Sequence, residues 1–332
     1  MIFSFTRPGV EAPVGETDGL AANNLDSRAG IARDGPMKPI LAAFSLAAMV
    51  LLAGCAGLPP PGGPLAALAC QLPPGLHAAT LANKQSLTDP TWAPFGRPET
   101  GWSVYAVRAA HEIKTRCPPK SPRFAARLAH WQSRRALAPT GVMDKATFQV
   151  MKTGWQAQRR FVAQRAAGLC PDPPTDADLI ALPPGGTLGG KPVQLRADTG
   201  KALATMIAAA RRDLAGTDLA PDRLTVFSGF RSPAYDADRC AREGNCDGVG
   251  RATCSAHRTG LAVDLTLGAA PGFAVDSSQD ANRLWQTRTA VYRWLVDNGE
   301  RFGFTNYAFE PWHWEWQEST RLAPVAGIQS WP

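Results

Sequence analysis

Apolar residues recur along the chain with two different periods. Phe124, Leu128 and Trp131 fall at i, i+4 and i+7, and Phe148, Met151 and Trp155 at i, i+3 and i+7, which predicts two successive amphipathic helices. Between them, the turn residues of Ala138-Pro139-Thr140-Gly141 lead to Asp144, placed to cap the second helix through its side-chain oxygen. Leu203, Met206, Ile207 and Ala210 predict a helix in 200–214. Val291, Trp294 and Leu295 predict another in 284–298, stopped by Asn298-Gly299. Elsewhere the period is two. Leu224-Thr225-Val226-Phe227-Ser228 is β-rich and runs into Gly229, which permits a sharp change of direction and presents Arg231 at the mouth of a sheet. In the next strand Ala262, Asp264 and Thr266 share one face and Val263 and Leu265 the other. Finally, Trp312, Trp314 and Trp316 alternate with His313 and Glu315. Pro311, which cannot donate to a sheet ladder, marks where that strand begins.

Composition divides the 332 residues. Met37-Lys38 opens a short basic region followed by apolar residues 40–52, too short to span a bilayer comfortably. The stretch ends in Leu52-Ala53-Gly54-Cys55, which resembles the lipobox of bacterial lipoproteins, and that resemblance implies lipidation of Cys55. An ordinary signal peptide or an anchor helix is the alternative. Residues 1–36 carry no targeting logic, so 1–36 is expected to be an extension ahead of a start at Met37. The expected organisation is then a signal peptide at 37–54, a Pro/Gly/Ala-rich tether at 55–75, a helical module at 76–170, a linker at 171–195 and a second domain at 196–325. Setting Cys55 aside leaves six of the seven cysteines, an even number suited to disulfides in an oxidising compartment, with 15 possible connectivities. The net charge of +7 is concentrated in residues 108–165, which hold thirteen basic and two acidic side chains. A basic face attracts a polyanion, and for an exported chain the cell wall or anionic lipid is the expected partner rather than nucleic acid. A solvated helix surface explains the same charge. A monomer is expected.

The candidate chemistry lies near the C-terminus. An Asp inside Leu261-Ala262-Val263-Asp264-Leu265 is costly to bury without a metal or cation. His257 precedes it on a loop, and His313 lies on the tryptophan-rich strand. Two imidazoles, one carboxylate and an open position make a catalytic zinc set. Glu310, three residues before His313 and turned away by Pro311, is the candidate base, and Arg231 is the candidate for stabilising an oxyanion. His111-Glu112 is not a zinc helix, because Thr115 stands where a second His is needed. His77 and His130 are likewise isolated. Cys254, three residues before His257, is read as a disulfide partner rather than a thiolate ligand.

Two resemblances extend this reading. Residues from Trp131-Gln132 through Thr147-Phe148 are similar to the small helical peptidoglycan-binding domain that accompanies wall hydrolases, though a plain helical hairpin has the same pattern. Ser228-Gly229-Phe230-Arg231-Ser232, Ser255 through Asp264, and Glu310-Pro311-Trp312-His313 resemble the VanY and VanX type D-alanyl-D-alanine carboxypeptidases. The resemblance implies an α+β fold, a small antiparallel sheet flanked by helices. It also implies Zn2+ held by His257, Asp264 and His313, with Glu310 as base and Arg231 steadying the substrate carbonyl. Ser255, Tyr235 and Trp312 are expected to touch substrate; Tyr235-Asp236 stands where members often carry Gln. The implied activity is D,D-carboxypeptidase action on peptidoglycan stem peptides, in a periplasmic protein anchored by lipid to a bacterial membrane, the outer rather than the inner. D,D-endopeptidase action on cross-links is the alternative, and a non-catalytic wall-binding lipoprotein is a second.

Overall fold

The computed structural model describes residues 64–73, 75–217, 223–244, 246 and 254–317; the signal, the lipobox and Cys55 lie outside them. The described residues belong to one compact unit. None of their helices is long and apolar enough to cross a membrane.

The upstream part is helical. After a short helix Pro64–Cys70 come α1 (His77–Ser86), α2 (Ala106–Glu112), α3 (Pro122–Ser133), α4 (Lys145–Ala157) and α5 (Arg160–Ala166). Ser121 caps α3 by accepting from the amide of Phe124; Asp144 caps α4 by accepting from that of Thr147 at 2.7 Å, the one cap of the two that the sequence pattern predicts. The connector between α3 and α4 is held by two buried amides. Gln132 bonds the backbone of Gly141 and Val142, and Asn83 bonds that of Gly141 and Met143. Gly141 has φ +70°, and a Cβ there would sit 2.7 Å from the Ala125 carbonyl oxygen, so glycine is required. Phe124, Leu128, Trp131, Phe148, Met151 and Trp155 form the core of this part. Phe309, from the far end of the chain, packs into the same cluster.

Downstream, α6 (Ala197–Asp213) buries Leu203, Met206, Ile207 and Ala210 against a four-stranded antiparallel sheet. A two-stranded ribbon, Leu179–Ala181 with Gln194–Arg196, leads into α6. The sheet comprises β1 (Val226–Ser228), β2 (Ala262–Leu265), β3 (Phe304–Asn306) and β4 (His313–Trp316), in the order β1-β2-β4-β3. Between them lie α7 (Pro233–Glu243), α8 (Asp280–Thr287) and α9 (Ala290–Asn298). The fold is therefore a small antiparallel sheet flanked by helices, with a helical region ahead of it. Residues 284–298 are not one helix. Thr289 interrupts them, its hydroxyl accepting from the amide of Tyr292 at 3.1 Å to start a new helix. Strand β4 is buried on both faces: Trp314 and Trp316 enter the core beneath α6, while His313 and Glu315 turn towards the helical region.

The six described cysteines form three disulfides, Cys70–Cys117, Cys170–Cys254 and Cys240–Cys246. Cys254 is thus bridged to Cys170 and carries no thiolate.

Candidate metal centre and active site

Sheet register builds the site. Asp264 on β2 is the direct cross-strand partner of both Ser228 on β1 and His313 on β4, so the carboxylate and the imidazole project from one face. His257 arrives on the single 3-10 turn Ala256–Thr259 that precedes β2. One ligand atom from each of His257, Asp264 and His313 lies within 4.8 Å of the others, and all three residues are buried.

Each imidazole has one nitrogen already engaged. His257 Nδ1 donates to the Gly229 carbonyl at 2.7 Å, leaving Nε2 facing Asp264 Oδ2 at 3.2 Å. His313 Nε2 donates to Glu315 Oε1 at 3.1 Å, leaving Nδ1 at 2.9 Å from Asp264 Oδ1. Two imidazole nitrogens with fixed second partners, converging on one carboxylate, fit a three-residue zinc set.

Glu310 lies in the turn between β3 and β4. Asn306 staples that turn by donating to the carbonyls of Glu310 at 3.2 Å and His313 at 2.9 Å. Arg283, fully buried, donates to the Phe309 carbonyl at 2.7 Å, to Glu99 at 2.8 Å and to the Tyr105 hydroxyl at 2.6 Å. The Glu310 side chain borders the same cleft as the three ligands. Arg231 reaches Asp264 Oδ2 at 3.4 Å and Ser228 Oγ at 3.3 Å. Ser255 donates to Asp236 at 2.7 Å, and Asp236 stands 4.0 Å from the Arg231 guanidinium. Tyr235 is half-exposed and Trp312 buried, and both line the cleft. All eight candidate residues among the described ones therefore meet at one cleft.

Residues 192–319 match the family model VanY, D-alanyl-D-alanine carboxypeptidase. Among solved structures, the chain is similar to the LdcB LD-carboxypeptidase, at 26% identity over 43% of this chain and 69% of that one, with a TM-score of 0.31. It is also similar to the zinc-bound vancomycin-resistance D,D-pentapeptidase VanY from a VanB-type cassette, at 23% identity over 44% and 82%, with a TM-score of 0.25. Comparison with curated proteins gives no match.

The electrostatics of the cleft separate its groups. Burial, with the Arg231 charge, lowers His257 to about 4. Burial also opposes charge on His313, but hydrogen bonds to Asp264 and Glu315 outweigh it and raise His313 to about 9. Asp264 is destabilised as an anion by burial, yet His257 and His313 hold it well below the carboxylate range. Glu310 moves the other way: burial pushes it up, against the pull of His313 and Arg231. The two carboxyls are thus shifted in opposite directions, Asp264 towards the anion that a metal ligand needs and Glu310 towards higher proton affinity.

Glu315, Arg159, Asp236, Asn306 and Arg283 were not among the sequence candidates. Glu315 had a signal, being two residues after His313 on the same strand face. The others act through contacts distant in sequence or through turns whose geometry is set by tertiary packing.

Proposed function

We propose that this chain is a zinc D,D-carboxypeptidase that removes the terminal residue from D-Ala-D-Ala ends of peptidoglycan stem peptides. The observation that carries the reading is the convergence of His257, Asp264 and His313 on one point beside Glu310, within a segment that matches the VanY family. A zinc ion held there supplies Lewis acidity, acidifying water and polarising the scissile carbonyl. Glu310 accepts the proton of the attacking water and passes it to the leaving amine, a role its raised proton affinity suits. Arg231, a permanent cation, steadies the oxyanion. Ser255, Tyr235 and Trp312 contact the peptide. In this reading the helical module at 76–170 holds the wall polymer, and lipid on Cys55 anchors the protein at a periplasmic membrane face.

One observation favours the endopeptidase alternative. The cleft has a volume of about 1560 Å3, with Phe95, Arg97, Phe161 and Arg165 of the upstream region on one wall. That exceeds the usual roughly 300–1,000 Å3 of a small-ligand site, which suits a substrate larger than a single stem-peptide end. The deciding experiment incubates the zinc-loaded protein with a pentapeptide ending in D-Ala-D-Ala and with purified sacculi, and reads products by mass spectrometry. Loss of one alanine supports carboxypeptidase action, and monomerised muropeptides support endopeptidase action. No product from either, with zinc bound, leaves wall binding as the function.

A further inference from the structure

The oxygen of Glu315 that receives the His313 Nε2 proton is also the acceptor for Arg159. Arg159 Nε lies 2.9 Å and Nη2 2.5 Å from Glu315 Oε1, while the Arg159 Nη1 donates to Gln156 Oε1 at 3.1 Å. The guanidinium also lies 4.0 Å over the Tyr307 ring. Arg159 is 6% exposed and Glu315 5%, so water competes little with these bonds. Arg159 belongs to the junction of α4 and α5, upstream of the 192–319 segment that matches VanY.

A buried ion pair is weak evidence for stability, since desolvation offsets its attraction. Its geometry here does something more specific. An imidazole has two tautomers and two ring orientations, and only Nε2–H directed at Glu315 leaves the Nδ1 lone pair facing Asp264 and His257. Glu315 is a fixed acceptor only while its own position is held, and the fork of Arg159 holds it from behind with two donors to one oxygen. Among the described residues of 192–319, His313 alone is hydrogen-bonded to that oxygen.

We infer that Glu315 and Arg159 are positioning residues arranged in series behind His313, so that the metal centre of the peptidase domain is completed by the upstream helical module. This rests on the reading of His257, Asp264 and His313 as zinc ligands.

The test is the zinc dissociation constant of the full chain, measured by competition with a chromophoric chelator, together with the melting temperature of the metal-free protein. Glu315→Ala is expected to weaken zinc binding by about 10–100-fold, and Glu315→Gln, which keeps an acceptor for the imidazole N–H, to recover most of that loss. Arg159→Ala is expected to weaken binding in the wild-type background but to add nothing in the Glu315→Ala background, as a series arrangement demands. Arg159→Lys and Glu315→Gln supply the same comparison should an alanine variant fail to fold. Variants that melt earlier yet bind zinc with the wild-type constant would overturn the inference and leave the pair a structural bridge. Additive losses from Arg159 and Glu315 would overturn the series arrangement. Absence of zinc binding by the wild type would instead overturn the ligand assignment, and the relay with it.

Discussion

The carbonyl oxygen of Gly229 lies 2.7 Å from Nδ1 of His257, so the backbone at the end of β1 decides which imidazole nitrogen faces Asp264. Gly229 has no room for a side chain. A Cβ there would stand 2.5 Å from the Gln194 carbonyl oxygen and 2.6 Å from Val193 Cγ1. Gly229→Ala is expected to destabilise the fold by about 1–3 kcal/mol, the usual cost of overpacking, and to weaken zinc binding. Thermal unfolding with and without zinc measures both, and an unchanged melting point would contradict the packing argument.

Separating the base from the ligands gives the second prediction. Glu310→Ala should retain zinc while losing hydrolysis by roughly 10²–10⁴-fold, the scale of general acid–base catalysis. His257→Ala should instead lower the zinc content, read by atomic absorption. Wild-type turnover by Glu310→Ala would remove Glu310 from the chemistry.

The direction of the Glu310 shift sets a pH dependence. A base works only when deprotonated, so kcat/KM should fall as pH drops through a Glu310 pKa raised above the ordinary 4.5. Arg231 is one of the charges pulling that value down. In Arg231→Gln the acid limb should therefore move to higher pH, beyond any loss in rate. A limb that stays in place, or moves down, would show that some other group titrates.

His313 predicts proton release. Hydrogen bonds to Asp264 and Glu315 keep it protonated to about 9, whereas a metal ligand must be neutral. Zinc binding at pH 7 should therefore expel about one proton, and apparent affinity should rise from pH 7 towards 9. Titration calorimetry in buffers of different ionisation enthalpy counts that proton.

The Cys170–Cys254 bridge spans 84 residues and fastens the segment leading to His257. Replacing both cysteines by serine should cost roughly 2–4 kcal/mol in chemical denaturation, with zinc still bound, because neither sulfur is a ligand. Loss of zinc stoichiometry in a folded double variant would contradict that.

The sequence made the candidate ligands legible for a physical reason. A strand places alternate residues on one face, so Asp264 and His313 could be assigned a side from local order alone, and Asp144 announces a helix start through chemistry confined to four residues. The break at Thr289 was missed because the apolar period continues across it, while the hydroxyl that starts the new helix interrupts no pattern. Glu315 was visible as the polar neighbour of His313 but had no role without its partner. Arg159 and Arg283 could not be placed at the site from local order, since Glu315 and Glu99 are 156 and 184 residues away, and the pairing of Arg283 with Asp280 three residues earlier points to neither.

Arg283 has a consequence for engineering. It fixes the carbonyl immediately before Glu310, and its counter-charge Glu99 comes from the two-stranded ribbon Thr91–Trp92 with Glu99–Thr100. A designer who transplanted residues 309–316 into another scaffold would carry over the side chains without the frame that aims them. The smallest portable unit that keeps this candidate site framed therefore begins at that ribbon and ends at the last strand.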